Sequence, residues 1–146
     1  MASFDVAYQL VARAEGGYQN LRSDGANKNS RGEWVGTNWG IIPATYERAT
    51  GQVPSEADMR ALTKAEARAM FRRLFWEPIQ GDRIFDQQVA NIFFDGHVNH
   101  GTWGIQLMQR ALGVVADGVF GPNSLAAMLR KDPGWLFNAY KEIRRS

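Results

Sequence analysis

Residues 3–18 read SFDVAYQLVARAEGGY, and this stretch decides how the chain begins to fold. Ser3 is a residue type that commonly caps the N-terminus of a helix. After it, apolar side chains recur at steps of three and four, which is the period of one helix face. Gly16 and Gly17 offer the backbone conformations that a helix exit needs. The stretch therefore predicts an N-terminal helix that buries one face and stops at the glycine pair.

The segment that follows, residues 18–40, is rich in Gly, Asn and Asp. Such a composition predicts turns, so we expect a short β-hairpin or irregular excursion here. From Pro43 onward helical signals dominate, beginning with a short segment that runs to Thr50. The predicted fold class is mostly α, a helical domain with one polar excursion near residues 18–40.

Several start and stop signals predict the later helices. Thr63 and Glu66 form a capping-box pattern ahead of a helix that runs toward Trp76 and that Pro78 closes. Asp86 is predicted to begin the next helix, and apolar residues between 105 and 112 mark another. The prolines at positions 122 and 133 suit first helical turns. No internal repeat and no linker divides the chain, which predicts a single domain over residues 1–146.

Composition limits the class of protein. A chain of 146 residues with 45% hydrophobic and 22% charged residues can bury a core of its own. It contains no cysteine, which excludes disulfides and zinc sites built on thiolates. We expect packing alone to stabilise the fold.

The charge and the hydropathy of the chain predict neither nucleic-acid binding nor insertion into a membrane. The formal net charge of +2 is a mild excess that would favour polyanions such as nucleic acid or an acidic cell wall, and it is too small to choose between them. The arginines at 68, 72, 73, 144 and 145 are interpreted as solvated helix faces, because a nucleic-acid-binding surface needs a stronger cluster of charge. No segment approaches the ~20 apolar residues of a membrane span, and the N-terminus lacks the basic and apolar regions of a signal peptide. We therefore expect cytoplasmic synthesis without a signal peptide and no stable membrane insertion.

The first candidate for chemistry is Glu15, which continues the apolar stripe of the first helix by one more step of four. Its place at a helix C-terminus and its partial desolvation both predict a raised pKa, as a general acid near neutrality requires. The glycines at 16 and 17 leave room for a bulky substrate beside it. The alternative is a glutamate that simply turns to solvent at a frayed helix end.

Asp24 is the second candidate. It lies nine positions after Glu15 in a polar loop, where a carboxylate would stay solvated and able to activate water. Two carboxyl groups in contrasting environments are what glycoside hydrolysis uses. The alternative is an ordinary turn formed by Asp24 with Gly25.

Three further candidate site residues, a threonine and two tryptophans, lie near the end of the excursion. The hydroxyl of Thr37 is a candidate for orienting a water molecule or a sugar. Trp34 and Trp39 are candidates for stacking on sugar rings, with burial in the core as the alternative for Trp39.

Three strings carry a family resemblance: EGGY at residues 15–18, TNWGI at 37–41 and FDGHVNHG at 94–101. Together they resemble glycoside hydrolase family 108, the bacterial and phage N-acetylmuramidases. The resemblance implies a lysozyme-like helical domain and Glu15 as the catalytic acid. The order of residues is also similar to that of phage-type lysozymes, which implies Asp24 as the water-positioning base and Thr37 as a supporting hydroxyl. We expect substrate contacts from four residues: Tyr18, Trp39, His97 and Asn99.

A second resemblance covers the C-terminal third. Leu107, Gln109, Leu112 and Gly113, with the string DGVFGPNS at residues 117–124, resemble a peptidoglycan-binding repeat. This predicts a catalytic part over residues 1–100 and a peptidoglycan-binding-like helical part over residues 101–146. The alternative is a helix connector that contacts no ligand, since Asp, Gly and Pro have local reasons to stand in such a turn.

His97 and His100 invite a metal hypothesis, but a third ligand is not defined. We expect no metal and no cofactor, and we expect His97 and Asn99 to line the cleft or to support the helix junction that faces Glu15.

Three functions remain open at this point. The first is a muramidase that cuts the β-1,4 bond between N-acetylmuramic acid and N-acetylglucosamine, typical of a phage endolysin. The second is a lytic transglycosylase that forms 1,6-anhydromuramoyl ends. The third is a non-catalytic wall-binding module. For the muramidase we expect a monomer that binds peptidoglycan glycan strands and acts on the cell wall after release, with a holin-type partner if a phage encodes it.

Overall fold

The computed structural model describes residues 1–12 and 16–145 of the chain. In this part of the chain the structure is mostly helical, which confirms the predicted fold class. The helices are α1 Phe4–Ala12, α2 Pro43–Thr50, α3 Glu56–Ala61, α4 Lys64–Phe71, α5 Gln87–His100, α6 Thr102–Leu112, α7 Pro122–Leu129 and α8 Pro133–Arg145.

The structure confirms the predicted helix starts, and side-chain capping contacts mark those of α4 and α5. The Thr63 hydroxyl accepts from the Glu66 backbone N–H at 3.1 Å, and the Glu66 carboxylate accepts from the Thr63 N–H at 2.9 Å. Asp86 accepts from the backbone N–H three residues on, at 2.9 Å. Helices α7 and α8 begin at Pro122 and Pro133. These contacts satisfy N–H groups that have no partner within the helix itself.

Helix α3 was not predicted. It spans six residues, which is too short for a clear hydrophobic period. Its start carries a full capping box, because the Ser55 hydroxyl accepts from the Asp58 N–H and the Asp58 carboxylate accepts from the Ser55 N–H. The capping pattern was therefore the one local signal that could have revealed it.

The helix that was predicted to run toward Trp76 does so in two steps. Helix α4 ends at Phe71, and a π-helical turn continues over Arg72–Trp76. A 3-10 turn, Glu77–Ile79, follows with Pro78 in it, where the prediction placed the stop. π-helical turns are rare and are found mostly as single turns within α-helices.

The described residues divide into two compact units. One, the terminal unit, comprises Met1–Leu10 with Arg72–Ser146, and the other, the central unit, comprises Val11–Phe71. This division concerns packing within the chain, whereas the predicted boundary near residue 100 concerns function and stays a prediction.

The terminal unit is built on α5, α6 and α8, which pack against one another. Tyr140 of α8 is fully buried, and its hydroxyl donates to the Gly104 carbonyl at 2.9 Å. A side chain at Gly96 would collide with that hydroxyl, and one at Gly104 would collide with the α5 backbone. The two glycines therefore allow α5, α6 and α8 to approach closely.

An aromatic cluster extends this core to the N-terminal helix. The ring of Phe4 lies 5.5 Å from that of Tyr8, 5.6 Å from Trp76 and 5.7 Å from Phe94, measured between centroids. These separations are typical of favourable aromatic pairs. The predicted apolar stripe of α1 is thus buried where the structure describes it.

The central unit holds the predicted excursion and helices α2, α3 and α4. Residues 18–41, the 18–41 loop, contain one 3-10 turn at Gly25–Asn27 and three isolated antiparallel bridges. The bridges pair Gln19 with Thr37, Lys28 with Trp34, and Asn38 with Ile41. The segment is therefore an irregular hairpin, as the polar composition predicted. No helix among the described residues has the length and apolar character to cross a membrane.

Candidate active site

The two arms of the 18–41 loop are held in register by backbone pairs. Gln19 and Thr37 exchange two hydrogen bonds, of 2.9 and 2.8 Å. The carbonyl of Asn27 accepts from the N–H groups of Val35 and Gly36, both at 3.0 Å. These pairs place the side chains of residues 19, 27 and 37 next to one another.

Asn27 is the centre of a polar network inside the loop. Its side chain is 0% exposed. The amide nitrogen donates to the Gln19 side-chain oxygen at 2.8 Å and to the Leu21 carbonyl at 3.0 Å. The amide oxygen accepts from the Thr37 hydroxyl at 2.7 Å and from the Gln19 side-chain nitrogen at 3.2 Å. Two donated and two accepted bonds satisfy an asparagine side chain completely.

Asp24 joins this network at the surface. One carboxylate oxygen accepts from the Ala26 N–H at 3.1 Å and so caps the 3-10 turn, which is the role that the turn alternative assigned to it. The other oxygen accepts from the Gln19 side chain at 3.4 Å. Asp24 is exposed, whereas Thr37 is 8% exposed. A continuous hydrogen-bonded path therefore runs from Asp24 through Gln19 and Asn27 to Thr37.

Tyr18, the last residue of the EGGY string, supports the same loop. Its hydroxyl donates to the Val35 carbonyl at 2.8 Å. Its ring lies against Gly36, where an added Cβ would fall 2.5 Å from the ring atoms. Gly36 has a φ of 89°, a conformation that side chains disfavour, so both space and backbone require glycine there.

Charged groups surround the Tyr18 ring. The Arg60 guanidinium lies over it at 4.2 Å from the centroid, and Arg60 also approaches Glu56 at 3.7 Å. Burial raises the pKa of Tyr18, and the negative charge of Glu56 raises it further. The phenol therefore stays protonated and keeps its hydrogen bond to the Val35 carbonyl through the physiological range.

Trp39 and Asn38 attach the end of the loop to α3. The indole N–H of Trp39 donates to the Leu62 carbonyl at 2.9 Å, and the Asn38 amide donates to the Met59 carbonyl at 3.0 Å. Asn38 and Ile41 close a tight turn in which Trp39 has a φ of 53°. A bulky residue rarely adopts this left-handed conformation, which costs of order 1–3 kcal/mol. Trp39 is half-buried, so part of the indole remains accessible.

His97 and Asn99 belong to α5 in the terminal unit, whereas Tyr18, Asp24, Thr37 and Trp39 belong to the central unit. His97 is 6% exposed, and its Nδ1 lies 2.8 Å from the Phe75 carbonyl in the π-helical turn. Because a carbonyl only accepts, the proton of this bond belongs to Nδ1. Asn99 donates to the carbonyl and the carboxylate of Asp95, at 2.8 and 3.1 Å. Their predicted contacts with substrate stay predictions.

The connection between α6 and α7, residues 113–121, is called the 113–121 loop. Gln109, fully buried in α6, donates to the Asp117 carboxylate and to the Val119 carbonyl, both at 2.9 Å. Its side-chain oxygen accepts from the Gly118 N–H at 2.9 Å. The Val119 N–H and the Gln109 amide lower the pKa of Asp117. Peptidoglycan binding by this segment stays a prediction, and the contacts show how the loop is held as a helix connector.

Glu15 lies outside the described residues, so its predicted role stays a prediction. Among the residues that are described, no group of three or more His, Asp or Glu side chains is placed to hold a metal ion.

Gln19 and Asn27 are the site residues that sequence reasoning missed. Both stand in a polar, glycine-rich segment, where asparagine and glutamine are common turn and surface residues. Only the pairing of residue 19 with residue 37 brings their amides together. No local sequence signal distinguishes them from solvated side chains.

Comparison with known proteins places the chain in a family. Residues 8–101 match the sequence profile of Glycosyl hydrolase 108. The chain belongs to this family. It is also similar to a solved structure entitled "Structure of Brucella abortus SagA", with 30% sequence identity and a TM-score of 0.82. The similarity covers 97% of this chain and 76% of that chain. No curated protein is similar enough to count as a match.

Membership of the glycosyl hydrolase 108 family carries two consequences. The described helices form a lysozyme-like fold, and the matched residues 8–101 form a glycoside hydrolase domain of the lysozyme-like, peptidoglycan-hydrolysing class. The matched range includes the 18–41 loop and α5, and it ends at the glycine that precedes α6.

Proposed function

We propose that this protein is an N-acetylmuramidase that hydrolyses the β-1,4 bond between N-acetylmuramic acid and N-acetylglucosamine. The observation that carries the proposal is the hydrogen-bonded path from Asp24 through Gln19 and Asn27 to Thr37. This path lies within the family match, and its first residue along the chain, Gln19, comes four residues after Glu15.

In this proposal Glu15 is the general acid. It protonates the glycosidic oxygen as the bond to the muramoyl sugar lengthens, and the sugar develops oxocarbenium character. Asp24 holds a water molecule and accepts its proton as the water attacks the anomeric carbon. Thr37 and Asn27 hold Gln19, which in turn orients the Asp24 carboxylate. Tyr18 and Trp39 are proposed to contact the sugar through the exposed parts of their rings.

A second candidate, a lytic transglycosylase, is favoured by one observation. One oxygen of Asp24 caps the 3-10 turn, so the carboxylate has a structural role that needs no catalytic one. With Glu15 alone, the 6-hydroxyl of the muramoyl sugar would act as the nucleophile and close a 1,6-anhydro ring. The two candidates share the acid and differ in the product.

The replacement Glu15→Gln tests the acid. We expect clearing of purified peptidoglycan, followed as loss of turbidity, to fall by about a hundredfold or more. The protein should unfold at no lower temperature. The sequence predicts a raised folded-state pKa for Glu15, so its ionisation above the unfolded pKa would destabilise the fold, and the amide removes that cost.

The matched control is Glu142→Gln, which removes one negative charge from an exposed side chain of α8. It should clear peptidoglycan as the unaltered protein does. Clearing by Glu15→Gln at the rate of this control would refute Glu15 as the acid.

Mass spectrometry of the released fragments decides between the two candidates. Hydrolysis leaves reducing ends, whereas transglycosylation leaves anhydro ends that are lighter by one water. We expect reducing ends. Mainly anhydromuramoyl ends would establish the transglycosylase and leave Glu15 as its acid.

A further inference from the structure

Two cations of the 18–41 loop lie over one indole ring. The Arg22 guanidinium carbon is 5.0 Å from the Trp34 ring centroid, and the Lys28 ammonium nitrogen is 4.9 Å from it. Both separations are within the range of attractive cation–π contacts. Trp34 is half-buried and is held by its bridge to Lys28 and by the Asn20 amide, which donates to the Trp34 carbonyl at 3.1 Å.

The charges of these two side chains are not neutralised within the described residues. Neither Arg22 nor Lys28 forms an ion pair with a carboxylate in that part of the chain. The hydrogen bond of the Arg22 side chain there goes to the Asn20 carbonyl, at 3.1 Å, and uses one of five N–H donors. Most of the guanidinium is therefore open to another acceptor.

The two cations are close enough to repel each other. Because both lie about 5 Å from the same centroid, they are at most about 10 Å apart, which is within a Debye length of about 10 Å at 0.1 M salt. An anion that contacts both would remove this repulsion. Trp34 thus holds two positive charges within about 10 Å of each other, and an anion beside either one would lower their mutual repulsion.

The cations flank the candidate base along the chain. Arg22 precedes Asp24 by two residues, and Lys28 directly follows the 3-10 turn that Asp24 caps. The same short segment therefore presents Asp24 toward solvent and the pair of cations beside it. Arg22 and Lys28 therefore belong to the same short, exposed segment as Asp24.

We propose that Arg22 and Lys28, held on Trp34, form a subsite for the carboxylates of peptidoglycan stem peptides. The proposal rests on the proposed function, because it takes a muramoyl polymer as the substrate. Each muramoyl sugar carries a lactyl group that begins a peptide, so these carboxylates are covalently attached beside the bond to be cut. A guanidinium pairs with a carboxylate through two parallel hydrogen bonds, and an ammonium adds a point charge.

The test is the double variant Arg22→Gln with Lys28→Gln, measured by co-sedimentation with insoluble peptidoglycan on ice at low salt. The peptidoglycan is first freed of phosphate-containing polymers. One portion keeps its carboxylates, and a second portion has them converted to amides with carbodiimide and ammonia. We expect binding to the first portion to weaken by about three- to tenfold, which is what two exposed ion pairs contribute. On the amidated portion, the double variant and the unaltered protein should bind equally well.

Two further variants separate charge from structure. Lys64→Gln with Arg83→Gln removes the same charge from exposed positions outside residues 18–41 and 101–146 and should bind both portions as the unaltered protein does. Arg22→Lys with Lys28→Arg keeps both charges and should restore binding to the first portion. The melting temperatures of all variants are compared to confirm that each is folded.

The outcomes are distinct. Equal weakening on native and amidated peptidoglycan, or equal weakening by the Lys64 and Arg83 variant, would overturn the subsite. A difference that appears only when phosphate polymers are retained would assign the cations to phosphate and overturn the stem-peptide proposal. If the unaltered protein neither binds nor clears peptidoglycan, the proposed function itself fails. If it does both and the double variant binds equally well, only the subsite fails.

Discussion

The 18–41 loop and the 113–121 loop are stabilised by similar contacts, but these contacts have different consequences. Each contains an aspartate whose carboxylate accepts from the backbone N–H two residues on, Asp24 from Ala26 and Asp117 from Val119. Each is also held by a fully buried side-chain amide, that of Asn27 within the first loop and that of Gln109 in α6 beside the second. A buried amide is costly unless all its hydrogen-bonding groups are paired.

The loops differ in where the hydrogen bonds lead. Gln109 donates directly to Asp117, pairs with the backbone of residues 118 and 119, and bonds the Ser124 hydroxyl of α7, so its bonds stay within the connector and the start of the next helix. The Asn27 side chain reaches the Asp24 carboxylate through Gln19, and it also accepts from the Thr37 hydroxyl on the opposite arm. The first arrangement holds a helix connector. The second links a surface carboxylate to a buried hydroxyl, which suits a residue that must be oriented and still meet substrate.

The sharpest test of this difference is the pair Asp24→Asn and Asp117→Asn. Asparagine can still cap a turn, so both loops should keep their shape. We expect Asp24→Asn to lower kcat by about a hundred- to ten-thousandfold, as loss of a general base does, with binding to peptidoglycan unchanged. Asp117→Asn should leave kcat unchanged. A near-normal kcat in Asp24→Asn would mean that the water is held elsewhere or takes no part.

The next test removes the buried amides. Asn27→Leu and Gln109→Leu each leave several polar groups without partners, which should lower the free energy of unfolding by about 2–4 kcal/mol. Denaturant unfolding measures this loss. Below its melting temperature, Gln109→Leu should keep its kcat, whereas Asn27→Leu should lose most of it. Equal loss of kcat in both variants would show that the two loops do not differ in function.

A third test concerns the packing of the 18–41 loop on Tyr18. Gly36→Ala should lower the free energy of unfolding by about 2–3 kcal/mol, because the new Cβ adds a collision with the ring to the strain of a positive φ. Gly32→Ala is the matched control, since Gly32 has a φ of 78° and open space around it. It should cost about 1 kcal/mol, the strain alone. Equal losses would show that the Tyr18 contact does not hold the loop.

The smallest effect is expected from the pH dependence of Asp117. Its folded-state pKa is lowered from the ordinary 3.8, so its ionised form stabilises the fold. This contribution is fully present above the unfolded pKa and is lost as the pH falls through the lowered value. Thermal unfolding of Asp117→Asn and of the unaltered protein should therefore differ slightly at pH 6 and converge toward pH 2, within roughly the titration range of a carboxyl. A difference that persists at pH 2 would rule out charge as its cause.

Local signals predicted most of the helical structure. Capping residues and prolines act through the backbone groups next to them, and so Thr63, Asp86, Pro122 and Pro133 mark helix starts whatever the rest of the chain does. Helix α3 escaped prediction because six residues give too short a hydrophobic period. The polar composition of residues 18–40 likewise predicted an irregular hairpin, since glycine, asparagine and aspartate favour turns locally.

Some residues of the candidate site could likewise be predicted from local sequence, and others could not. The sequence by itself determined Asp24 and Thr37 as candidates, because a carboxylate in a solvated turn and a hydroxyl before an indole are visible as residue types. Only the tertiary structure decided that Gln19 and Asn27 join them and that Trp34 carries two cations. These partners meet because residue 19 pairs with residue 37 and residue 28 with residue 34. This pairing register depends on contacts across the whole loop, so it cannot be predicted from the conformational preference of any single residue.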